Sequence, residues 1–168
     1  MKKLILVRHA KSDWGDASLP DHNRPLNSRG LKAAPVMGQR LLEKQLIPDL
    51  IVSSTAYRAE ATAKLIATEL KCLDKIVTDT NIYEASVSTL LELIRNLDDA
   101  HEMIMLVGHN PGFTMLLNEL QDQQFIANMP TCAVAVVAFD VDSWADARTG
   151  ILLDYDYPKK LPQAEFRA

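Results

Sequence analysis

The side chains best suited to chemistry are two arginines and two histidines that follow apolar segments: Arg8, His9, Arg58 and His109. A guanidinium group offers a planar, charge-assisted fork that suits a phosphoryl group. A neutral imidazole can attack phosphorus and carry the phosphoryl group, and a second imidazole can donate to the oxygens where transition-state charge develops. These residue types predict phosphoryl transfer, provided that the fold brings them together.

A carboxyl group near such a cluster would complete the chemistry. Glu84 follows another apolar segment and would protonate the leaving group and later activate water. The expected site needs no metal ion and no other cofactor, because the arginines already supply positive charge. Helices that open near Thr55 and Pro111 would add backbone N–H donors for the same anion.

The elements that must position these residues alternate regularly along the chain. The predicted strands are 3–7, 48–54, 75–80, 103–109, 132–140 and 150–157, and the predicted helices are 28–46, 57–70, 87–97 and a fourth that opens at Pro111 and includes 113–120. This alternation predicts βαβ units and an α/β fold: a three-layer α/β/α sandwich with a mostly parallel central sheet, in which the final strand pair includes an antiparallel member. Ligands bind outside the carboxyl ends of such strands, so the chemical residues are expected at one sheet edge.

Polar residues before the helices predict where each helix begins. Asn27 or Ser28 is the expected cap of the first helix, and Ser54 or Thr55 that of the second. Asn110 is the expected cap of the fourth helix, with Pro111 in its first position. Pro35 and Gly38 lie inside the first helix and leave a kink or a later start open. The tail, 158–168, is expected to be irregular.

The bulk composition predicts one ordinary globular domain over residues 1–168. No apolar stretch approaches the roughly 20 residues that span a bilayer, and the first residues do not form a signal peptide, so a cytoplasmic protein is expected. Cys72 and Cys132 are predicted to be reduced, buried thiols. The net charge of −4 argues against nucleic acid as a partner and makes an arginine cluster a local feature for a small anion.

Each of these residues alone has an ordinary structural interpretation. An Arg-His pair at a strand end is usually a polar terminus, Arg58 a solvated helix residue, and His109 part of a turn before a helix. Glu84 is the weakest candidate, because a loop carboxylate is normally solvated. His22 and His101 lie in polar loops and are assigned to the surface. The functional interpretation therefore depends on several residues meeting at one edge of the sheet.

Five segments together resemble the histidine phosphatase superfamily, which includes the phosphoglycerate mutases. They are "LVRHAKSDW" (6–14), "RPLNSRG" (24–30), "VSSTAYRAEAT" (52–62), "IYEAS" (82–86) and "LVGHNPG" (106–112). They occur in the family's order and are most similar to its short SixA-like branch of phosphohistidine phosphatases. The resemblance implies the phosphoglycerate mutase-like fold and a role in signal transduction.

The resemblance also implies a role for each matching residue. His9 resembles the nucleophile that becomes phosphohistidine, and Arg8, Arg58 and His109 resemble the rest of the phosphate pocket. Arg24 resembles an additional basic residue that lines the pocket in the SixA-like branch. Glu84 stands where longer members often place the proton donor, a position at which the SixA-like branch varies.

The chain departs from the family's usual Arg-His-Gly tripeptide, because Ala10 replaces the glycine. A methyl group disfavours a positive φ, and we expect the pocket to tolerate it. The chain also lacks the long insertions that cover the site in the mutases. An open, shallow site would suit a phosphoryl group displayed on a protein, and a small domain of this kind is compatible with a monomer.

The leading hypothesis is therefore a metal-independent phosphatase that hydrolyses protein phosphohistidine through a phospho-His9 intermediate. Its expected partner is a phosphorylated protein, such as a histidine-phosphotransfer domain, or else a small phosphorylated molecule. Three alternatives stay open: a small-molecule phosphomonoesterase with the same pocket, a non-catalytic module that binds phosphoproteins, and a metal hydrolase that uses His9, His109 and Glu84. The last lacks the paired ligand spacing of known metal motifs.

Overall fold

The chain forms six strands and four helices, and the computed structural model describes residues 1–161. The strands are β1 (Lys2–Arg8), β2 (Leu50–Ser54), β3 (Ile76–Asp79), β4 (Met103–Gly108), β5 (Val134–Phe139) and β6 (Ile151–Asp156). The helices are α1 (Ser28–Glu43), α2 (Tyr57–Leu70), α3 (Val87–Arg95) and α4 (Gly112–Leu120). All ten elements occur where the sequence predicts them, and no end differs from its prediction by more than three residues.

The six strands form one sheet in the order β3-β2-β4-β1-β5-β6. Strands β1 to β4 are parallel, whereas β5 runs antiparallel to both β1 and β6. The mostly parallel sheet with an antiparallel strand in its final pair is therefore confirmed. Because β1 and β4 are central neighbours, the residues that follow them emerge side by side.

Alternating side chains of the central strands supply both halves of the core. Leu4 and Leu6 of β1 pack with apolar residues of α3 and α4, whereas Ile5 and Val7 pack with those of α1 and α2. All four side chains are completely buried. The helices thus form one layer on each face of the sheet, which confirms the three-layer sandwich.

The start of α1 agrees with its predicted cap. The Asn27 side chain accepts a hydrogen bond from the Gly30 amide at 2.9 Å, and the helix includes Pro35 without ending there. Gly30 is required for space, since a Cβ atom at this position would overlap the Lys11 carbonyl oxygen. This close approach holds the loop after β1 against the first turn of α1.

The predicted cap of α2 is wrong. The residue before the helix is Ala56, which has no side chain that could cap it, and neither Ser54 nor Thr55 takes that role. Ser54 is the last residue of β2, and its hydroxyl contacts His109 instead. Helix α4 begins at Gly112, one residue after Pro111, and the predicted Asn110 does serve its first turn by accepting from the Thr114 amide at 3.1 Å.

Three further observations concern membrane-spanning helices, the cysteines and the C-terminal tail. Within residues 1–161, no helix is long and apolar enough to cross a membrane. Cys72 and Cys132 are buried and free, as predicted. Residues 158–160 form a turn rather than a helix or strand, and the rest of the predicted irregular tail, from residue 162 onward, lies outside the described residues.

Candidate active site

The two predicted imidazoles meet where β1 and β4 end. Arg8 is the register partner of Gly108, and the His9 amide donates to the Gly108 carbonyl oxygen at 2.9 Å. The next residue on each strand is therefore a histidine, and the ring centroids of His9 and His109 lie 5.1 Å apart. The register of two parallel strands thus places both rings at the carboxyl edge of the sheet.

The His9 ring has a fixed orientation. Its Nδ1 lies 2.7 Å from the Ala10 carbonyl oxygen, which can only accept, so Nδ1 carries the hydrogen. In the neutral ring the lone pair then resides on Nε2. Burial lowers the pKa of His9 to about 4, assisted by the positive charges of Arg58, Arg8 and Arg24. The neutral, nucleophilic form therefore predominates at pH 7.

Ala10 supports this arrangement through its backbone. Its amide donates to the Thr62 hydroxyl oxygen at 2.9 Å, and its side chain is buried in the core. The non-glycine residues of 1–161 with positive φ do not include Ala10, so its methyl group causes no backbone strain. The fold therefore accommodates alanine at the position where the related family usually has glycine.

His109 is held by Ser54, the last residue of β2. Its Nε2 lies 2.7 Å from the Ser54 hydroxyl oxygen, which also accepts from the Ala56 amide at 3.2 Å. When the hydroxyl donates to Nε2, the hydrogen of the neutral ring lies on Nδ1, and Nδ1 has no partner among the described residues. Burial, with the nearby His9 and Arg58, lowers the pKa of His109 to about 3.

Arg8 and Arg58, the two arginines predicted to bind the phosphoryl group, also retain free donors. Arg8 donates through one terminal nitrogen to the Met129 carbonyl oxygen at 2.9 Å. Arg58 donates through both terminal nitrogens to Asp21. The Nε atoms of both arginines are buried and have no partner within residues 1–161. A buried donor without a partner costs about 1–3 kcal/mol, so these side chains favour a bound acceptor.

These groups surround one cavity of about 330 Å³. Its lining residues are Arg8, His9, Lys11, Ser12, Trp14, Asp21, Arg24, Arg58, His109, Asn110 and Thr131. Five of the six residues predicted for the site line it, and Glu84 does not. The cavity thus combines three arginines, one lysine and two neutral imidazoles with a single carboxylate, which makes it suited to an anion.

The single carboxylate, Asp21, was missed by the sequence analysis. It lies in a short 3₁₀ turn (Asp21–Asn23) of the loop between β1 and α1. Its oxygens accept from Arg24 Nε at 3.0 Å, from an Arg58 terminal nitrogen at 3.0 Å and from the Tyr83 hydroxyl at 2.5 Å. Asp21 therefore fixes two of the three arginines. The "DHNR" spacing, with an acid three residues before Arg24, was the available signal.

The bonds to Asp21 also set its ionisation. The hydrogen bond from Tyr83, together with those from Arg24 and Arg58, holds the pKa of the Asp21 carboxyl well below its usual range. Burial and the same contact raise the pKa of Tyr83 to about 12. At pH 7 Asp21 is thus a carboxylate and Tyr83 a neutral donor, so the carboxyl group at the cavity is not a ready acid.

Two aromatic contacts extend the site beyond the predicted residues. The exposed indole of Trp14 lies over the Arg24 guanidinium, whose central carbon is 3.4 Å from the ring centroid. His22 was assigned to the surface, but it is half-buried, with Nε2 2.9 Å from the Thr55 hydroxyl oxygen and its ring against Tyr83. His101 is also half-buried, and its carbonyl oxygen accepts from the Trp144 indole at 2.9 Å.

Glu84 lies apart from the cavity. Its side chain is exposed, it makes no hydrogen bond with another described residue, and its φ of 54° places it in a turn between β3 and α3. The neighbouring Tyr83 is the residue that reaches the site, with its ring 5.5 Å from that of His109. The loop after β3 therefore delivers an aromatic hydroxyl where the sequence predicted a carboxyl group.

Two further features bear on the predictions: the backbone N–H donors at the start of α4 and the possible ligands for a metal ion. At the start of α4 the Phe113 and Thr114 amides already donate to the His109 carbonyl oxygen and to Asn110. A bound anion would therefore gain little from these two amides of α4. No group of three or more His, Cys, Asp or Glu side chains within 1–161 is arranged to hold a metal ion, so a metal hydrolase lacks a ligand set in the described part of the chain.

Comparison with known sequences shows what this site is similar to. The pattern of the histidine phosphatase superfamily (branch 1) matches residues 4–90. An uncharacterized chloroplast protein of Arabidopsis thaliana is 29% identical over 155 residues, covering 87% of this chain and 70% of the relative. An uncharacterized protein of Mycobacterium tuberculosis is 29% identical over 153 residues, covering 86% and 93%.

Solved structures extend the similarity to the whole fold. A protein of Agrobacterium tumefaciens that carries the name phosphohistidine phosphatase SixA superposes with a TM-score of 0.81 at 28% identity, covering 94% of this chain and 98% of that one. The protein histidine phosphatase SixA complexed with tungstate gives a TM-score of 0.78 at 20% identity, covering 93% and 97%, which shows the shared fold. The phosphoglycerate mutase-like fold and the similarity to SixA proteins are thus confirmed, and together they support a phosphatase. The chain belongs to the histidine phosphatase superfamily.

Proposed function

We propose that the chain, acting as one domain, is a phosphatase that removes the phosphoryl group from phosphohistidine on proteins, with His9 as its nucleophile. One observation carries this proposal. Arg8 Nε, Arg58 Nε and His109 Nδ1 are buried without partners in the described chain, and all three side chains line the cavity beside His9. A phosphoryl group supplies the acceptor oxygens that these donors lack.

In the first step His9 Nε2 attacks the phosphorus atom. A bond forms between Nε2 and phosphorus while the bond between phosphorus and the substrate imidazole nitrogen breaks. The leaving imidazole keeps the electron pair of that bond and carries a proton taken from solvent. Arg8, Arg58 and His109 donate to the equatorial oxygens, where the transition-state charge is spread.

In the second step water attacks the phosphorus atom of phospho-His9. The new oxygen–phosphorus bond replaces the Nε2–phosphorus bond, and inorganic phosphate leaves after the water has lost a proton. The Nδ1–H of His9 donates to the Ala10 carbonyl oxygen in both steps, so Nε2 stays available for the reaction. Arg24 and Lys11 contribute positive charge at the rim of the same cavity.

The proposed substrate class is supported by the carboxyl groups of the described residues, none of which is placed as a general acid at the cavity. Asp21 is held ionised by its three donors, and Glu84 is exposed outside the cavity. An alcohol leaving group needs a proton from such an acid, whereas a protonated imidazole is a good leaving group without one. The groups around His9 therefore favour a phosphoramidate over a phosphate monoester.

A protein substrate fits the accessibility of the site. Trp14, which lines the cavity, is 74% exposed, and Lys11 beside it is also exposed. Within residues 1–161, the loop between β1 and α1 contributes Lys11, Trp14 and Arg24 to the wall of the cavity. A phosphoryl group carried on the surface of another protein can approach such a site without a lid movement.

The test measures both the intermediate and the substrate preference. The protein is mixed with a ³²P-phosphohistidine protein and quenched in alkali, where phosphohistidine is stable. We expect an acid-labile label on the wild-type chain that is absent from His9→Ala. A hydrolysis panel then compares phosphohistidine with phosphoserine, phosphotyrosine and sugar phosphates. Faster hydrolysis of the sugar phosphates would indicate a phosphomonoesterase, and binding without any labelling would indicate a non-catalytic module.

A further inference from the structure

A second depression lies beside the cavity that contains His9 and His109, which we call the phosphate cavity. The chemistry proposed above does not use this second depression. It has a volume of about 280 Å³. Its walls are formed by Lys11, Arg29, Ala33, Pro130, Thr131, Tyr157, Pro158 and Lys159, which we call the basic groove. Lys11 and Thr131 also line the phosphate cavity, so the two depressions share a wall.

The charges of the basic groove are all of one sign. Lys11, Arg29 and Lys159 are exposed, none forms an ion pair with another residue of 1–161, and no acidic residue lines the groove. Nearby Arg40 and Lys44, by contrast, are each paired with a carboxylate of β6. In a chain of net charge −4, three unpaired cations on one small surface are a local concentration of positive charge.

The floor of the groove is held in place by specific contacts. Lys11 lies against α1, because its carbonyl oxygen accepts from the Asn27 amide at 2.9 Å and leaves room only for glycine at position 30. On the other side, Arg40 donates to the carbonyl oxygen of Tyr157 at 3.0 Å and to that of Pro158 at 3.4 Å. The backbone on two sides of the groove is therefore held in place by hydrogen bonds.

We propose that the basic groove binds an acidic peptide segment next to the phosphorylated residue of the protein substrate. This inference rests on the proposed function, because it places that residue in the neighbouring cavity. The three cations complement carboxylate side chains, and the apolar floor of alanine, prolines and tyrosine suits the rest of a peptide. Nucleic acid fits less well, since only three cations are present and the chain as a whole is acidic.

The groove then contributes recognition and not chemistry. Arg29 and Lys159 line the groove and not the phosphate cavity, so their contacts with the peptide stay the same while the phosphoryl group is transferred. Such uniform binding lowers KM and leaves kcat unchanged. Small phosphorylated molecules that fill only the phosphate cavity would gain nothing from it.

The experiment uses two synthetic peptides that carry the same chemically phosphorylated histidine. One has glutamates beside this residue and the other has glutamines. The test variant is Arg29→Gln/Lys159→Gln in the full chain, and Lys11 is kept because it also lines the phosphate cavity. The matched control is Lys64→Gln/Lys75→Gln, which removes the same charge from residues that line neither depression.

For the wild-type chain and the control variant we expect a KM at least about 5-fold lower for the glutamate peptide, an advantage that shrinks as salt is added. The Arg29→Gln/Lys159→Gln variant should give equal KM values for both peptides with an unchanged kcat. Its kcat/KM for free phosphoramidate should also be unchanged. Equal KM values in the wild type, or an equal loss on free phosphoramidate, would overturn the proposal.

A binding measurement separates this proposal from the proposed function. The anisotropy of a fluorescent, unphosphorylated glutamate peptide is followed with the wild-type chain and both variants. Weaker binding by Arg29→Gln/Lys159→Gln alone supports the groove even if phosphohistidine proves not to be the substrate. If a single-stranded oligonucleotide binds more tightly than the peptide and depends on the same two residues, the assignment to an acidic peptide is wrong.

Discussion

The His9–His109 pair and Glu84 all follow parallel strands of one sheet, yet their surroundings are opposite. The two rings are 7% and 9% exposed, 5.1 Å apart and bordered by arginines. Glu84 is exposed and contacts no group of the cavity. The sequence places all three after predicted strands and makes Glu84 the weakest of them.

The comparison shows that the chemical role of a side chain depends on how deeply it is buried and on which charged groups lie beside it. Burial lowers the pKa of His9 to about 4 and keeps the ring neutral, while the adjacent guanidinium groups keep an anion close to it. Glu84 is exposed and does not line the cavity. Among the described residues the cavity therefore combines a neutral imidazole and anion-binding arginines without a protonated carboxyl group, as the proposed phosphohistidine substrate requires.

Removing the nucleophile tests the stronger half of this comparison. His9→Ala should lower kcat/KM for a phosphohistidine protein by at least about 1,000-fold. The other imidazole of the cavity, His109, cannot replace it, because its Nε2 is occupied by the Ser54 hydroxyl. Hydrolysis rates and covalent labelling are the measurements. Circular dichroism before and after heating controls for folding. Labelling that persists in His9→Ala would move the nucleophile elsewhere.

Changing Asp21 tests whether the arginines must be held in place. Asp21→Asn keeps the shape but removes the charge that binds Arg24 and Arg58, so we expect kcat/KM to fall about 10- to 100-fold, mainly through a higher KM. Steady-state kinetics give this split, with Asp16→Asn as a control at an exposed acid outside the cavity. A lower KM would instead mean that Asp21 competes with the phosphoryl group for the arginines.

Changing Glu84 tests the weaker half. Glu84→Gln should alter kcat for a phosphohistidine substrate by less than about 3-fold, whereas loss of a true general acid costs about 100- to 10,000-fold. The same assay on a phosphate monoester is informative, because an alcohol leaving group makes a greater demand for a proton. A large loss on either substrate would show that the loop after β3 moves Glu84 to the cavity.

Lowering the pH tests whether His9 and His109 are neutral in the folded protein. Of these changes it has the smallest expected effect on the reaction. A histidine with the ordinary pKa of 6.5 is about 3% neutral at pH 5, whereas one with a pKa of 4 is about 90% neutral. Because neutral His9 is the attacking form, phosphoenzyme formation should fall less than about 2-fold from pH 7 to pH 5, after correction for the donor's own ionisation. Ring ¹⁵N shifts of the wild type and His9→Ala assign the titration, and midpoints near 6.5 would contradict it.

The same shift has a consequence for stability. The folded pKa of His9 is lower than the unfolded one, so the unfolded chain binds the proton more readily. Its contribution to stability is present above pH 6.5 and is lost as the pH falls from there toward about 4. Denaturation midpoints should therefore decline over this range, and the decline should be smaller in His9→Ala.

Most of the fold was predictable because its signals are local. Apolar runs such as 4–7 and 103–109 identify strands, Asn27 identifies a helix start, and the alternation of elements identifies the layers. The start of α2 at Tyr57 was predicted correctly, but its predicted cap was wrong. The Ser54 hydroxyl contacts His109, which lies 55 residues further along the chain. A cap that is lost to a distant partner leaves no trace in the local sequence.

The sequence by itself determined which residues end the strands, and therefore that Arg8, His9, Arg58 and His109 would be neighbours at one sheet edge. That result follows from the parallel sheet, which collects the carboxyl ends of its strands. Only the tertiary structure decided that Asp21 and Tyr83 join them, that Glu84 does not, and that Arg29 and Lys159 meet beside Lys11. Those contacts depend on how loops from separate elements pack together, and this packing cannot be inferred from the types and spacing of neighbouring residues.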